Sequence, residues 1–297
     1  MIQKIKNLVK RFLASTVFFM HRAGILPNRI KVYSVDETLD ILLTTEKSMV
    51  RFGDGEIVVL SGKNIFFQTA SPEISVGLKR ILQYAYDDLI VTLPDIFDNL
   101  DIYVPASQKF WKDHLLFFRK VYNQYCNPNR KYYNTSVSRG YITLSDKSYS
   151  GKWFNKFRQL FKDKRLVIVE GSTTHNGVGN DLFEYANSIE RIICPSRNAY
   201  CVRDKIKEKC LEYDKNVLFL FSLGITAKGL VEELFLEGYR VLDIGNLDME
   251  YEWYLRNALK KVDIPKHNIV GVEANKAAGY TSYLEQIVYT ISEYKKE

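Results

Sequence analysis

RLVIVEGSTTHNGVGNDLFEYANSIERIIC, residues 165–194, decides the fold. Leu166–Val169 is an apolar run without polar alternation, as expected of a strand buried on both faces. A loop of small and polar residues follows it. Gly179–Ala186 then reads as a short helix, and Arg191–Cys194 as a second apolar strand. The alternation continues with a helix over Ala199–Tyr213, a strand over Val217–Phe221, a helix over Thr226–Leu236, a strand over Arg240–Ile244 and a helix over Glu250–Leu259. Strands that are apolar throughout and alternate with helices predict an α/β, Rossmann-like, mostly parallel sheet with helices on both faces. In such sheets ligands bind at the carboxyl ends of the strands. Four loops are expected along that edge: Gly171–Gly177, Pro195–Asn198, Ser222–Gly224 and Gly245–Asn246.

Upstream, Ser34-Val-Asp-Glu37 is a capping box that opens a short helix. Met49–Phe52 reads as a strand, Gly53–Glu56 as a turn and Asn64–Gln68 as another strand. Ser71-Pro72 opens a helix, Leu89–Leu93 is a strand that Pro94 ends, and residues 106–126 form an aromatic-rich helix. No Pro/Gly/Ser-rich linker and no repeat interrupts the chain. Residues 34–297 are therefore expected to form a single domain, behind a basic N-terminal helical arm of residues 1–33.

The net charge of +7 is local. Residues 1–31 carry Lys4, Lys6, Lys10, Arg11, Arg22, Arg29 and Lys31 and no acid, so the rest of the chain balances to zero. A neutral body argues against nucleic acid as a partner. The apolar run Phe12–Met20 is too short to span a bilayer, which takes about 20 residues. The arm reads either as an interfacial helix in peripheral contact with a membrane or as a helix docked on the protein's own body. Cys126, Cys194, Cys201 and Cys210 match no zinc spacing and read as reduced thiols of a cytoplasmic protein. The scattered His21, His114, His175 and His267 exclude the clustered ligands of a zinc hydrolase.

Three segments can carry chemistry. In RFGDGE, residues 51–56, the carboxylates of Asp54 and Glu56 stand two apart with Gly53 and Gly55 beside them. Hard divalent cations take one or two carboxylates plus substrate phosphate oxygens, and Arg51 can pair with a phosphate. An ordinary surface turn has the same composition. The loop Gly171–Gly179 can offer backbone N–H groups to a diphosphate. Leu182 stands at the third glycine position, so it is not the dinucleotide fingerprint. In DIGNLDMEYEW, residues 243–253, four carboxylates fall at a strand end and helix start. Acids there suit the helix dipole. Alternatively one of them is a general base, and Trp253 is a platform for a sugar ring.

Four stretches, RFGDGE (51–56), EG…GVGNDLF (170–183), LGITAKGL (223–230) and DIGNLDMEYEW (243–253), together resemble the bacterial GT-D fold glycosyltransferases, formerly a domain of unknown function. The resemblance runs over about Ser34–Lys276. It implies a single Rossmann-like domain that uses a DxE motif with Mn²⁺, or Mg²⁺, and a UDP-sugar donor. It also implies a saccharide or glycoprotein acceptor in cell-surface glycan biosynthesis. Asp54 and Glu56 then become the metal and diphosphate ligands. Arg51, Gly53, Gly171, Gly177, Gly179, Arg197, Asn198 and Asn246 shape the nucleotide-sugar pocket, and Asp248, Glu250 and Glu252 become candidates for the base, with Asp243 beside them. The sequence departs from the family pattern at Ile225, where Pro is expected, and at Asn246, where His is expected. It also lacks a basic residue before GVGND, which His175 would replace. The implied function is hexosyl transfer; the protein is expected to be cytoplasmic, with peripheral contact on the inner face of the membrane where the arm is an interfacial helix. The alternatives are a non-enzymatic nucleotide- or glycan-binding module and a metal-dependent phosphohydrolase.

Overall fold

A computed structural model of the 297-residue chain describes residues 2–27, 30–84, 86–267 and 278–292. Its frame is one sheet in which every pairing is parallel. In chain order the described strands are β1 (Lys31–Val32), β2 (Ser48–Arg51), β3 (Leu89–Leu93), β4 (Lys131–Asn134), β5 (Arg165–Gly171), β6 (Ser188–Cys194), β7 (Leu218–Ser222), β8 (Arg240–Asp243) and β9 (Ile287–Thr290). Their order across the sheet is β1-β4-β3-β2-β8-β7-β5-β6-β9.

The helices are α1 (Ile2–Arg22), α2 (Val35–Thr44), α3 (Asp54–Leu60), α4 (Pro72–Gln83), α5 (Pro105–Tyr125), α6 (Ser150–Phe161), α7 (Arg203–Leu211), α8 (Thr226–Leu236), α9 (Leu247–Leu255) and α10 (Tyr280–Glu285). Alternate strand residues feed two cores. Val167 and Val169 meet α3, α4, α5, α7 and α8 on one face, whereas Leu166 and Ile168 meet α2, α6 and α9 on the other. Covering both faces explains why the strands read as unbroken apolar runs.

Ser34 caps α2 as expected: its Oγ accepts from Glu37 N–H at 3.1 Å and its own N–H donates to Glu37 Oε2 at 2.7 Å. Three local expectations are corrected. Gly53–Glu56 is the N-cap and first turn of α3, because the Glu56 carboxylate reaches back to the Gly53 N–H at 2.7 Å. Asn64–Gln68 is a tight turn closed on itself by Ile65 and Gln68. Gly179–Ala186 is a series of turns. There Gly177 and Gly179 take positive φ, and Asn180 gives its amide to acids of α9 instead of continuing a helix. The helix α6 and the strands β4 and β9 had no sequence reading.

α1 lies on α5 through Ala14, Phe18 and His21, with Lys10 ion-paired to Asp113 at 3.1 Å. No helix among the described residues is long and apolar enough to cross a membrane.

Candidate active site

The carboxyl ends of β2 and β8 are adjacent, yet the chain leaves β2 toward β3 on one side while β8 arrives from β7 on the other. Neighbouring strands whose connections diverge open a crevice at their carboxyl ends. Both acidic segments, RFGDGE and DIGN, reach this crevice.

A buried lysine joins them. Lys228 of α8, 3% exposed, places Nζ 2.9 Å from Glu56 Oε1, 2.8 Å from Asp243 Oδ2 and 2.9 Å from the Gly224 carbonyl. All three ammonium protons are thus used. Burial opposes its charge, but Asp243 and Glu56 outweigh that and hold its pKa above the ordinary lysine value. Glu56 is held below its ordinary value: burial raises it, and Lys228 with the Gly53 N–H more than reverses this. Asp243 also accepts from the N–H groups of Arg51 at 3.3 Å and Gly245 at 3.1 Å.

Asp54 differs from its partner. It is only half-buried, and no other described residue hydrogen-bonds its carboxylate. Burial raises its pKa, the charge of Glu56 adds to this, and the cation of Arg139 opposes it. Among the described residues no three His, Cys, Asp or Glu side chains are placed to hold a metal ion by themselves. A divalent cation would therefore meet the open carboxylate of Asp54 with Glu56 behind it, and would take its remaining ligands from a substrate. That donor set suits Mg²⁺ or Mn²⁺ bound together with phosphate oxygens.

Arg51 donates through Nη2 to the Thr135 carbonyl at 3.2 Å and passes so close to Gly245 that a Cβ there would fall 1.8 Å from Nη1. Gly245 has φ +49, so glycine is required both by backbone and by space. Arg51 Nε, Thr92 Oγ1, Thr135 Oγ1 and Ser138 Oγ are buried without partners among the described residues, and Arg51 and Thr92 are neighbours in register. Orphaned polar atoms clustered at one strand edge are what a polar ligand would satisfy.

The candidate bases part company. On a helix, residues four apart share a face and residues two apart do not. Asp248 and Glu252 both face the Gly177–Asn180 loop. Asp248 accepts from Gly177 N–H at 2.8 Å and Asn180 Nδ2 at 2.7 Å, and meets Lys266 at 2.9 Å and His267 at 2.7 Å. Burial opposes its ionisation, but Lys266 and His267 hold its pKa far below the ordinary range. Glu252 is bound by Asn180 at 2.7 Å and Lys266 at 2.8 Å. Glu250 points the other way. Its Oε2 accepts from Tyr141 N–H at 3.2 Å and Ile142 N–H at 2.9 Å, and Arg139 and Lys261 act on both Glu250 and Asp54. Burial raises its pKa, against those two N–H groups and Arg139.

The remaining sequence candidates fall at several places on the edge. Gly177 and Gly179 border a cavity of ≈ 630 Å³ whose lining includes Arg191 and Tyr283 but neither Asp54 nor Glu56. Gly171 lies against Ser196 and Thr174, where a Cβ would come within 3.2 Å of both. Asn198 is left-handed at φ 47 and accepts from Thr69 N–H at 2.8 Å, while the Arg197 guanidinium stacks on Phe66 at 4.4 Å. Both therefore secure the Asn64–Ala70 loop, whose Phe67 ring covers Gly224. Asn246 is exposed, caps α9 by position and makes no side-chain capping bond. His175 does not supply a surface cation: it is buried, its Nδ1 lies 2.6 Å from the Lys266 carbonyl, and burial lowers its pKa. Trp253 is buried, with its indole N–H on the Val262 carbonyl at 2.8 Å, so it offers no platform to a sugar. Lys228 and Arg139 were missed by sequence reasoning. A lysine among the apolar positions of α8 was the available signal for the first; nothing marked the second.

The family model for the glycosyltransferase GT-D fold matches residues 49–271. The probable glycosyl transferase Gly of Streptococcus gordonii is 46% identical over 237 residues, 80% of this chain and 35% of that protein. Glycosyltransferase GlyD of Streptococcus pneumoniae serotype 4 is 42% identical over 234 residues, 78% of this chain and 29% of that protein. The chain thus spans about a third of the length of these curated relatives. A solved glycosyltransferase from Streptococcus sanguinis superimposes with a TM-score of 0.83 at 43% identity, covering 89% of this chain and 100% of that one. A solved structure of domain of unknown function 1792, described as a distinct glycosyltransferase fold, gives 0.83 at 39% identity over 89% of this chain and 97% of that one. On these matches the chain belongs to the GT-D fold glycosyltransferase family.

Proposed function

We propose that this protein transfers a hexose from a UDP-sugar to a saccharide acceptor of a cell-surface glycoprotein or polysaccharide, with Mn²⁺ or Mg²⁺ as cofactor. The observation that carries the reading is the Lys228 bridge, which sets Glu56 and Asp243, from two acidic segments far apart in the chain, into one crevice beside the open carboxylate of Asp54. Asp54 and Glu56 would hold the metal, which when bound offsets the charge that builds on a departing diphosphate. Arg51 and Arg139 add fixed positive charge to the same crevice. Lys228 keeps Glu56 ionised and aimed. Glu250 is favoured as base over Asp248 and Glu252, because Arg139 and Lys261 act on it as they do on Asp54 and burial raises its pKa. The fully engaged Asp248 and Glu252 instead brace the Gly177–Asn180 loop.

The test is release of UDP from a panel of UDP-sugars, with and without Mn²⁺, in the full chain and in Asp54→Asn. Mn²⁺-dependent release that Asp54→Asn abolishes supports transfer. UDP binding with no release from any donor would point to a binding module. Phosphate release from simple phosphoesters would point to a hydrolase.

A further inference from the structure

We propose that α1 is a two-faced helix which docks the protein body with one side and lays the other in the headgroup region of an anionic membrane. One side is spent internally: α1 packs on α5, and Ala14, Phe18 and His21 are 2%, 8% and 1% exposed, with His21 also against Phe97. Another side has no cover within the described chain. Ile5, Leu8, Val9, Phe12 and Phe19 are 55%, 68%, 51%, 71% and 67% exposed.

The spacing separates the two sides. At 3.6 residues per turn, Ile5, Leu8, Phe12 and Phe19 fall within a sector of about 60°, roughly opposite Ala14, Phe18 and His21. Cations line both margins of the bare stripe. Lys4, Arg11 and Arg22 follow one margin; Lys6 marks the other, past the exposed Val9 and Leu13, which extend the apolar side. Residues 1–31 contain no acid, whereas the rest of the chain carries no net charge.

Charge chooses the occupant. An apolar stripe between two basic margins matches the boundary between acyl chains and anionic headgroups. A second copy of the chain would set these cations against each other. The ion pair of Lys10 with Asp113, 3.1 Å, fixes the helix on α5, so the stripe is presented already ordered.

The experiment is co-sedimentation of the full chain with phosphatidylcholine vesicles, with and without phosphatidylglycerol. Binding is expected only with phosphatidylglycerol and should weaken with added salt. Lys4→Gln, Lys6→Gln and Arg11→Gln should each lower the partition coefficient roughly fivefold, and together about a hundredfold. Leu8→Ser with Phe12→Ser should also reduce binding, with the melting temperature unchanged because both side chains are exposed. The proposal is overturned by absence of binding to either vesicle, by binding the Gln variants do not weaken, or by light scattering that shows a dimer dispersed by Leu8→Ser/Phe12→Ser. The last outcome would make the stripe an interface between copies.

Discussion

Lys228 Nζ stands 2.9 Å from Glu56 Oε1 in the interior of the protein, so an acid of the DxE motif is half of a buried ion pair before any ligand arrives. Removing one member of such a pair leaves a charge stranded. Lys228→Met should lower stability by about 3–5 kcal/mol. Adding Glu56→Gln and Asp243→Asn to it should restore part of the loss, since the stranded charges go too. Urea unfolding of the three proteins decides this, and a Lys228→Met variant as stable as its parent would falsify the structural weight given to the triad.

The two acids of the motif should therefore separate in stability while agreeing in activity. Under the proposed metal-dependent transfer, Asp54→Asn and Glu56→Gln should each reduce turnover by at least ~10²-fold, because each would remove charge stabilisation at the leaving diphosphate. Only Glu56→Gln should destabilise the fold. Burial raises the pKa of Asp54, so its ionised form is disfavoured in the folded state above the unfolded pKa. Asp54→Asn should then be neutral or slightly stabilising at neutral pH. Equal melting temperatures for the two variants would contradict this division.

Gly245→Ala should disturb the site through Arg51. The residue is at φ +49 and the new Cβ would lie 1.8 Å from the guanidinium. A strained backbone costs on the order of 1–3 kcal/mol, and Arg51 must leave the Thr135 carbonyl as well. Gly245→Ala should lower both the melting temperature and the affinity for UDP. Titration calorimetry with UDP that matches the parent would show Arg51 to be irrelevant to the nucleotide.

Asn246 is exposed at the end of β8, beside Gly245, with its side chain free of any capping bond. An amide cannot take up the acceptor's proton, yet it offers both a donor and an acceptor to a hydroxyl. Asn246→His and Asn246→Ala, assayed across several donors and acceptors, should change the ranking of substrates in at least one variant. Rates that merely scale together would reduce Asn246 to a turn residue.

His114 sets a pH dependence. Burial pushes its pKa down to about 4, and its Nε2 lies 3.1 Å from the Tyr122 hydroxyl. The folded state keeps it neutral, so its contribution is present above the unfolded pKa of about 6.5 and is lost as pH falls toward 4, up to roughly 3 kcal/mol. Asp95, raised to about 6 by burial and by Asp98, works in the opposite sense from about pH 6 down to 4 and offsets much of that loss. His114→Gln should therefore change the slope of melting temperature against pH, gaining on its parent as pH falls from 6.5 to 4. An unchanged slope would assign the loss to other groups.

Much of the fold was legible because β5, β7 and β8 are buried on both faces and so carry unbroken apolar runs. β4 and β9 were not: KYYN and IVYT mix polar and apolar residues at or near the sheet margin, where packing makes fewer demands. Asp54 and Glu56 were visible as a pair, but as a turn. That Glu56 bends back to the Gly53 N–H and so starts α3 depends on one hydrogen bond that a DxE spacing does not specify. The choice among the candidate bases was illegible for a similar reason. Asp248, Glu250 and Glu252 look alike in sequence, and only the partners across the helix, Lys266 and His267 on one side and Tyr141 and Ile142 on the other, tell them apart. Lys228 stayed hidden because its three partners lie on three separate segments.

The seam between β2 and β8 also bears on how the protein acquires its shape. Val241 N–H donates to Ser48 Oγ across 193 residues, and Met49 pairs with Leu242. Contacts of such long range form slowly, because a large loop must close before they gain anything. On the ribosome, strands β1 to β4 can assemble while β8 is still unmade. The crevice comes into being only when β8 slides between β2 and β7, so a chain stopped before Arg240 would carry two half-sheets with raw edges open to misassembly.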